Sequence, residues 1–268
     1  MGELWNLVLF QPLISGLVFL FKVFGNLGFA IIALTIIIRT LLVPLTAPSM
    51  KAAKKMAELA PEIAKLKKKY AHDKQKFAQA QMALYRQHGA NPVAGCLPMI
   101  VQLVILISLY QAFIQVLKPN GAELIARLNE IVYPFLKLPL ETRIDFSFLY
   151  LDLSKPDIFH LGGLPIPGIF LILAALTQFL SSKMMSPAVK KVEKEAEKTK
   201  GKTDDFMASM QAQMVYLFPL MTIFIGFTFP SGLILYWLVF SLFQFVQQYF
   251  MTGLGGLTPW IERVGLKR

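Results

Sequence analysis

Leu27-Gly-Phe-Ala-Ile-Ile-Ala-Leu-Thr-Ile-Ile-Ile-Arg-Thr-Leu-Leu-Val-Pro-Leu45 is the stretch that decides the fold class. It is nineteen residues long and carries one charge, Arg39. A helix needs roughly 20 apolar residues to cross the ~30 Å hydrocarbon core of a bilayer. Four more runs of similar character follow, at residues 92–117, 164–181, 210–229 and 233–251. The whole chain of 268 residues is 55% hydrophobic, with a mean hydropathy of +0.55. A soluble domain must dress its surface with more charge than that. The expectation is an all-α membrane protein with five transmembrane helices.

Residues 1–26 read differently. The stretch 4–24 is apolar but interrupted by Gln11-Pro12, Ser15-Gly16 and Lys22. Its large side chains Trp5, Phe10, Phe19, Phe21 and Phe24 suit an interfacial amphipathic helix in the outer leaflet, with a full crossing as the competing reading. Glu3 stands where a signal peptide would carry basic residues, and no lipobox cysteine follows. Residue 1 is therefore expected to belong to the working protein.

The net charge of +11 is distributed by connector. Residues 51–88 hold ten Lys/Arg against three Asp/Glu, residues 183–207 seven against five, and residues 253–268 three against one. The segment 118–162 holds five against six. Basic connectors alternating with a slightly acidic one place the N-terminus outside and the lysine-rich connectors and short basic tail in the cytoplasm. Positive-inside bias thus accounts for the charge, and direct nucleic-acid binding is not called for. The single cysteine, Cys96, excludes an internal disulfide and is expected to be a buried structural thiol.

Within 51–88, Leu59, Ile63 and Leu66 recur at helical spacing, His72-Asp73 marks a turn, and Phe77, Met82, Leu84 and Tyr85 give a second apolar stripe. The expectation is a cytoplasmic helical hairpin with Pro61 at a first turn or kink. Residues 186–207 are charged and poor in apolar side chains, which predicts a mobile connector. Pro134, Pro139 and Pro156 punctuate the external segment 118–162 into short pieces.

Arg39 carries the chemistry. An arginine at the centre of a spanning helix costs about 2.5–3.5 kcal/mol on insertion scales. At 1.5 Å per residue it lies roughly 18 Å into its helix, within the cytoplasmic half of the bilayer. No other Lys, Arg, Asp, Glu or His sits well inside any of the five runs. An internal ion pair is unavailable, so a hydrated cavity is expected; snorkelling to the headgroups is the competing reading. Thr35 lies one turn before Arg39, and Thr46 seven residues after it. Gln102, Thr177-Gln178 and Tyr236-Trp237 interrupt the other runs. Singly, such residues are ordinary helix-to-helix glue. With Arg39 they outline a half-channel that is wet but closed externally.

No residue set supports catalysis: there is no phosphate-binding glycine loop, no HExxH and no nucleophile–base pair. His72 and His88 fall on the cytoplasmic side and His160 on the external side, so no three-histidine metal site is expected, and no cofactor.

Five motifs in order resemble the YidC/Oxa/Alb family of membrane insertases. They are Ile36-Ile-Ile-Arg-Thr-Leu-Leu-Val-Pro-Leu-Thr46, Met82-Ala-Leu-Tyr85, Asn91-Pro-Val-Ala-Gly-Cys-Leu-Pro98, Lys183-Met-Met-Ser-Pro187 and Phe229-Pro-Ser-Gly-Leu-Ile-Leu-Tyr-Trp237. The resemblance covers residues 27–252 and implies a five-helix core with a hydrophilic groove open to the cytoplasm and to lipid. It implies that Arg39 attracts acidic residues of a client's extracellular tail. It also implies that Gln178 and Trp237 face the same groove as Arg39, and that residues 51–88 make early contact with clients or targeting factors. The implied partners are nascent membrane proteins with short acidic tails, the lipid bilayer, the Sec translocon, the signal recognition particle receptor and the ribosome. The implied location is a bacterial plasma membrane. The chain departs from the long Gram-negative type in showing no extra N-terminal span and no large external domain, so it resembles the compact type. Its tail, 253–268, has only three basic residues, which weighs against ribosome docking. An alternative function, a small-anion transporter using Arg39 as counter-ion, would predict an inverted repeat or paired broken helices, and neither is visible.

Overall fold

A computed structural model describes residues 5–71, 73–90, 97–116, 121–185 and 204–263. They fall into two compact units. The first is Met1–Leu42, Ile100–Leu176 and Met221–Phe243; the second is Val43–Met99, Thr177–Leu220 and Gln244–Arg268. The chain is mostly helical. A π-turn at Asn6–Phe10 runs into α1 (Gln11–Phe24), followed by α2 (Leu27–Glu58), α3 (Ala60–Lys69), α4 (Lys74–Gln87), α5 (Leu97–Val116) and α6 (Gly121–Ile131). Two β-hairpins come next, β1 (Ser147–Phe148) with β2 (Leu151–Asp152), and β3 (Ile158–Leu161) with β4 (Leu164–Pro167). Then come α7 (Ile169–Met185), α8 (Asp204–Gly226), α9 (Ser231–Thr252) and α10 (Thr258–Arg263).

Among the described residues, Asn6–Phe24, Leu27–Glu58 and Ser231–Thr252 are long and apolar enough to cross a membrane. Shorter apolar helical stretches occur at Leu103–Ala112, Ile169–Met184 and Val215–Gly226. Large apolar side chains that a soluble protein would bury stand exposed on these helices, among them Leu41, Leu103, Ile172, Leu176 and Phe224. Such faces are stable only against lipid.

At three places the elements differ in extent or kind from the sequence reading. The helix of the first run extends past Leu45: α2 continues through Pro44 and Pro48 to Glu58. Each proline removes one backbone donor from the ladder and favours a bend, yet the helix carries on into the basic connector. The helix of the third run starts at Ile169 rather than at Leu164. Residues 164–167 form β4, because Gly162 (φ +59°) and Gly163 (φ +84°) make a two-residue turn of the kind that closes a hairpin. The chain is mostly helical as expected, with two small sheets standing where short helical or irregular pieces are expected. Their strands are two to four residues long, too short for period-two patterning to stand out against the prolines around them.

In the first unit, Leu17 and Leu20 of α1, Ile31 and Leu34 of α2, Ile105 and Leu109 of α5, and Leu233 of α9 form one core with Phe148 and Leu153. A second cluster joins Ile14 and Val18 of α1 to Ile125 and Leu128 of α6. Asn26 starts α2 by accepting the Gly28 and Phe29 amides (2.9 and 3.2 Å), while its own amide donates to the Ser147 carbonyl (3.1 Å). The same external segment holds the start of α9. The Ser231 amide and hydroxyl donate to the Lys155 and Asp152 carbonyls (2.7 and 2.8 Å), and the Gly232 amide to Leu153 (3.0 Å). Helix termini leave backbone donors unpaired, and these bonds satisfy them.

In the second unit, α3 starts with Pro61 in its first turn, and Asp73 caps α4 by accepting the Lys76 amide (3.0 Å). His72 lies outside the described residues, as do 91–96 with Cys96 and the connector 186–203. Trp260 of α10 packs 6.1 Å from the Phe179 ring and lies under the Lys183 ammonium at 5.5 Å. Gly255 (φ +48°) lets the chain approach α7 there; a Cβ would stand 2.1 Å from the Met184 carbonyl oxygen.

Candidate functional site

Helical period places Tyr236, Phe240 and Phe243 on one face of α9, at positions i, i+4 and i+7. Arg39 of α2 meets that face. Its guanidinium carbon lies 3.9 Å from the centroid of the Phe240 ring and 5.6 Å from that of Phe243. Only 9% of Arg39 is exposed, so the side chain is enclosed by protein rather than extended to the surface. Its Nε has no hydrogen-bond partner. Among the described residues no carboxylate pairs with it; the ion pairs described there join Asp73 to Lys76, Glu123 to Arg127 and Asp152 to Lys155.

The sequence led to water as the remaining solvent for this charge, and the structure adds aromatic rings. The magnitudes decide how far the rings suffice. A desolvated cation–π contact contributes about 2 kcal/mol, against the roughly 2.5–3.5 kcal/mol cost of a central arginine. The rings offset part of the penalty and leave the charge un-neutralised. Phe240 and Phe243 were missed in the sequence because phenylalanine is the commonest aromatic in these runs; the signal was their helical spacing from Tyr236.

The remaining sequence-predicted residues divide. Thr35 is buried, and its hydroxyl donates to the Ile31 carbonyl of its own helix (2.6 Å). With Tyr236 it lines a cavity of about 10 Å³ otherwise walled by Leu17, Ile31, Leu34, Ile38 and Leu109. That space holds one water at most. Tyr236 is buried with its ring 6.1 Å from that of Phe240, and Trp237 is partly buried against the same core. Gln178 is half-buried on α7, in the second unit. Gln102 lies on α5, its side chain outside the described ones. The structure therefore brings together Arg39, Phe240, Phe243, Tyr236 and Thr35.

In the second unit Thr46 accepts a buried hydrogen bond from the Gln247 amide (3.0 Å). Gln247 continues the α9 face that carries Phe240 and Phe243. Beside it Gln248 is fully buried, with neither polar atom of its amide partnered. Both glutamines lie near the cytoplasmic end expected for that helix, and sequence reading passed them over. Among the described residues no group of His, Cys, Asp and Glu is arranged to hold a metal.

A family model described as "60Kd inner membrane protein" matches residues 19–255. A Fusobacterium nucleatum protein named membrane protein insertase YidC is 36% identical over 234 residues, covering 87% of this chain and 90% of its own length. The protein of that name from Pelobacter propionicus is 34% identical over 254 residues, covering 93% of this chain. The chain spans 39% of that longer relative. A solved structure described as an active YidC insertase with the first transmembrane domain resolved matches with a TM-score of 0.56 at 25% identity. It covers 93% of this chain and 47% of its own.

Proposed function

The chain belongs to the family of the 60Kd inner membrane proteins, a multi-pass bacterial membrane family that includes the YidC insertases, and from that premise we propose that it is itself an insertase. It assists the entry and folding of other membrane proteins through a hydrophilic groove centred on Arg39. The core is residues 27–252, with five crossings formed by α2, α5, α7, α8 and α9. Residues 1–26 lie as an interfacial helix in the outer leaflet, the N-terminus is outside, and residues 51–88 and the tail are cytoplasmic. The charge alternation of the connectors supports that orientation.

One observation carries the reading: a buried cation in a membrane helix rests on aromatic rings and makes no ion pair with any described residue. Phe240 and Phe243 hold the guanidinium in place without consuming its charge. A carboxylate in a client's tail forms a stronger, charge-assisted contact and takes their place. The tail would otherwise face about 30 Å of hydrocarbon; solvation along part of that path lowers the barrier. The unpartnered amide of Gln248 is a further group in the protein interior that calls for a polar companion. The client's own apolar helix then partitions into lipid and supplies the driving energy. The clients are nascent proteins with short acidic external tails, and the Sec translocon, the signal recognition particle receptor and the ribosome are candidate co-workers.

The test is insertion of a single-span client with an acidic tail into vesicles holding the purified chain. Protease protection of the tail well above that in empty vesicles is expected, and equality with empty vesicles refutes the reading. Removal of residues 54–85 is expected to depress insertion several-fold while circular dichroism and thermal unfolding in detergent show the spans still folded. Unchanged insertion would make the helical hairpin a bystander.

A further inference from the structure

The hairpin β3–β4 has a face left largely exposed among the described residues. Its register pairs Phe159 with Ile166 and Leu161 with Leu164. Alternation along each strand therefore puts these four side chains on the same face, with Ile158, His160, Pro165 and Pro167 on the other. Leu161 and Leu164 are each 70% exposed, Phe159 42% and Ile166 38%. Two prolines in β4 sharpen the reading. The two-residue Gly162-Gly163 turn makes Leu161–Leu164 a hydrogen-bonded pair. By alternation, positions 165 and 167 belong to non-hydrogen-bonded pairs, whose amides would point out of the sheet edge. Proline at both positions costs the hairpin no ladder bond and leaves that edge without outward donors. An edge without donors is a poor template for an added strand from another protein, and a cheaper one to bring towards hydrocarbon.

We propose that this apolar face docks on the lipid bilayer, at the non-cytoplasmic membrane surface, as an interfacial anchor beside α7. Three observations favour lipid over a protein partner. The face is continuous in sequence with the exposed apolar side of α7, where Ile169, Ile172 and Leu176 are about half exposed. Residues 158–182 contain no Asp, Glu, Lys or Arg. Tyr150, whose ring stacks 5.7 Å from Phe159, supplies the amphipathic aromatic that favours the headgroup zone. There the remaining carbonyls of the ribbon still reach water. The inference takes only the choice of leaflet from the proposed orientation.

Spin labels report depth directly. In a Cys96→Ser parent (Cys96→Ala if the serine parent expresses poorly), single cysteines replace Phe159, His160, Leu161 and Leu164. Each labelled protein is placed in vesicles of phosphatidylethanolamine and phosphatidylglycerol. Accessibility to oxygen is expected to exceed that to a water-soluble nickel chelate at 159, 161 and 164, and to fall below it at 160. Nickel exceeding oxygen at 161 and 164 would overturn the proposal, leaving the face in water. Low accessibility to both with an immobilised spectrum would overturn it in favour of a protein cover. Glu141→Cys reports the sidedness: labelling by an impermeant maleimide from the cytoplasmic side alone would reverse the orientation, while the depth pattern would still decide the docking.

Discussion

Arg39→Ala is expected to reduce insertion of an acidic-tailed client by about tenfold to a hundredfold, whereas Arg39→Lys retains most of it. A hydrogen bond to a charged group contributes about 1.5–3 kcal/mol, and each 1.4 kcal/mol is a factor of about ten in rate. The lysine keeps a positive charge of similar reach, so the prediction separates charge from the planar geometry of the guanidinium. The client sets the control. Replacing its tail carboxylates with amides should make wild type and Arg39→Ala converge, because the contact then no longer involves two charges. Equal insertion of the acidic client by wild type and Arg39→Ala would remove Arg39 from the mechanism. Phe240 belongs to the same measurement. Phe240→Leu removes the ring 3.9 Å from the guanidinium and should weaken insertion less than Arg39→Ala. In the double variant the two effects should not add, since the ring acts through the charge.

How much of this was legible beforehand depended on the length scale of each signal. Apolar runs of about twenty residues and one arginine among them are conspicuous, and they led to a membrane protein and to Arg39. Boundaries set by local geometry were less visible. The continuation of α2 through Pro44 and Pro48 goes against the usual reading of proline as a stop, because neighbouring helices sustain a helix that propensity alone would end. Strand β4 was absorbed into the apolar run 164–181 while β3 fell in the external segment, since a short strand and a buried helix segment share composition. Phe240 and Phe243 drew no notice because their role depends on which helix α9 packs against, a tertiary fact. Thr35 was singled out for lying one turn before Arg39, yet its hydroxyl is already used by its own helix.

The largest expected effect on stability lies at the start of α7. Asp157 is 2% exposed and has no basic side chain paired with it among the described residues. What holds its carboxylate is the helix itself. Oδ2 accepts the Leu171 amide (2.8 Å), Oδ1 accepts the Tyr150 hydroxyl (2.9 Å), and that hydroxyl in turn accepts the Phe170 amide (3.0 Å). Two of the helix's orphan donors are thus satisfied, and the negative charge sits at the positive end of the macrodipole. Asp157→Ala strips this cap and should destabilise the protein by roughly 3 kcal/mol, with Asp157→Asn losing about half as much. Gly168 gives an independent approach to the same contact, because its Cβ would fall 1.7 Å from Oδ1. Gly168→Ala must therefore push the carboxylate off the helix and should mimic Asp157→Ala. Thermal unfolding in detergent reads the loss, and amide exchange at Phe170 and Leu171 locates it; fast exchange there with an unchanged melting point would confine the cap to local order. The pH dependence has a defined sign. Burial pushes the Tyr150 phenol up to about 12, so the folded state holds this proton more tightly than the unfolded one. Its contribution is complete below a pH of about 10, the ordinary tyrosine value, and is lost as pH rises from there through about 12. Tyr150→Phe should flatten that alkaline limb, and an unaltered limb would assign it to another group.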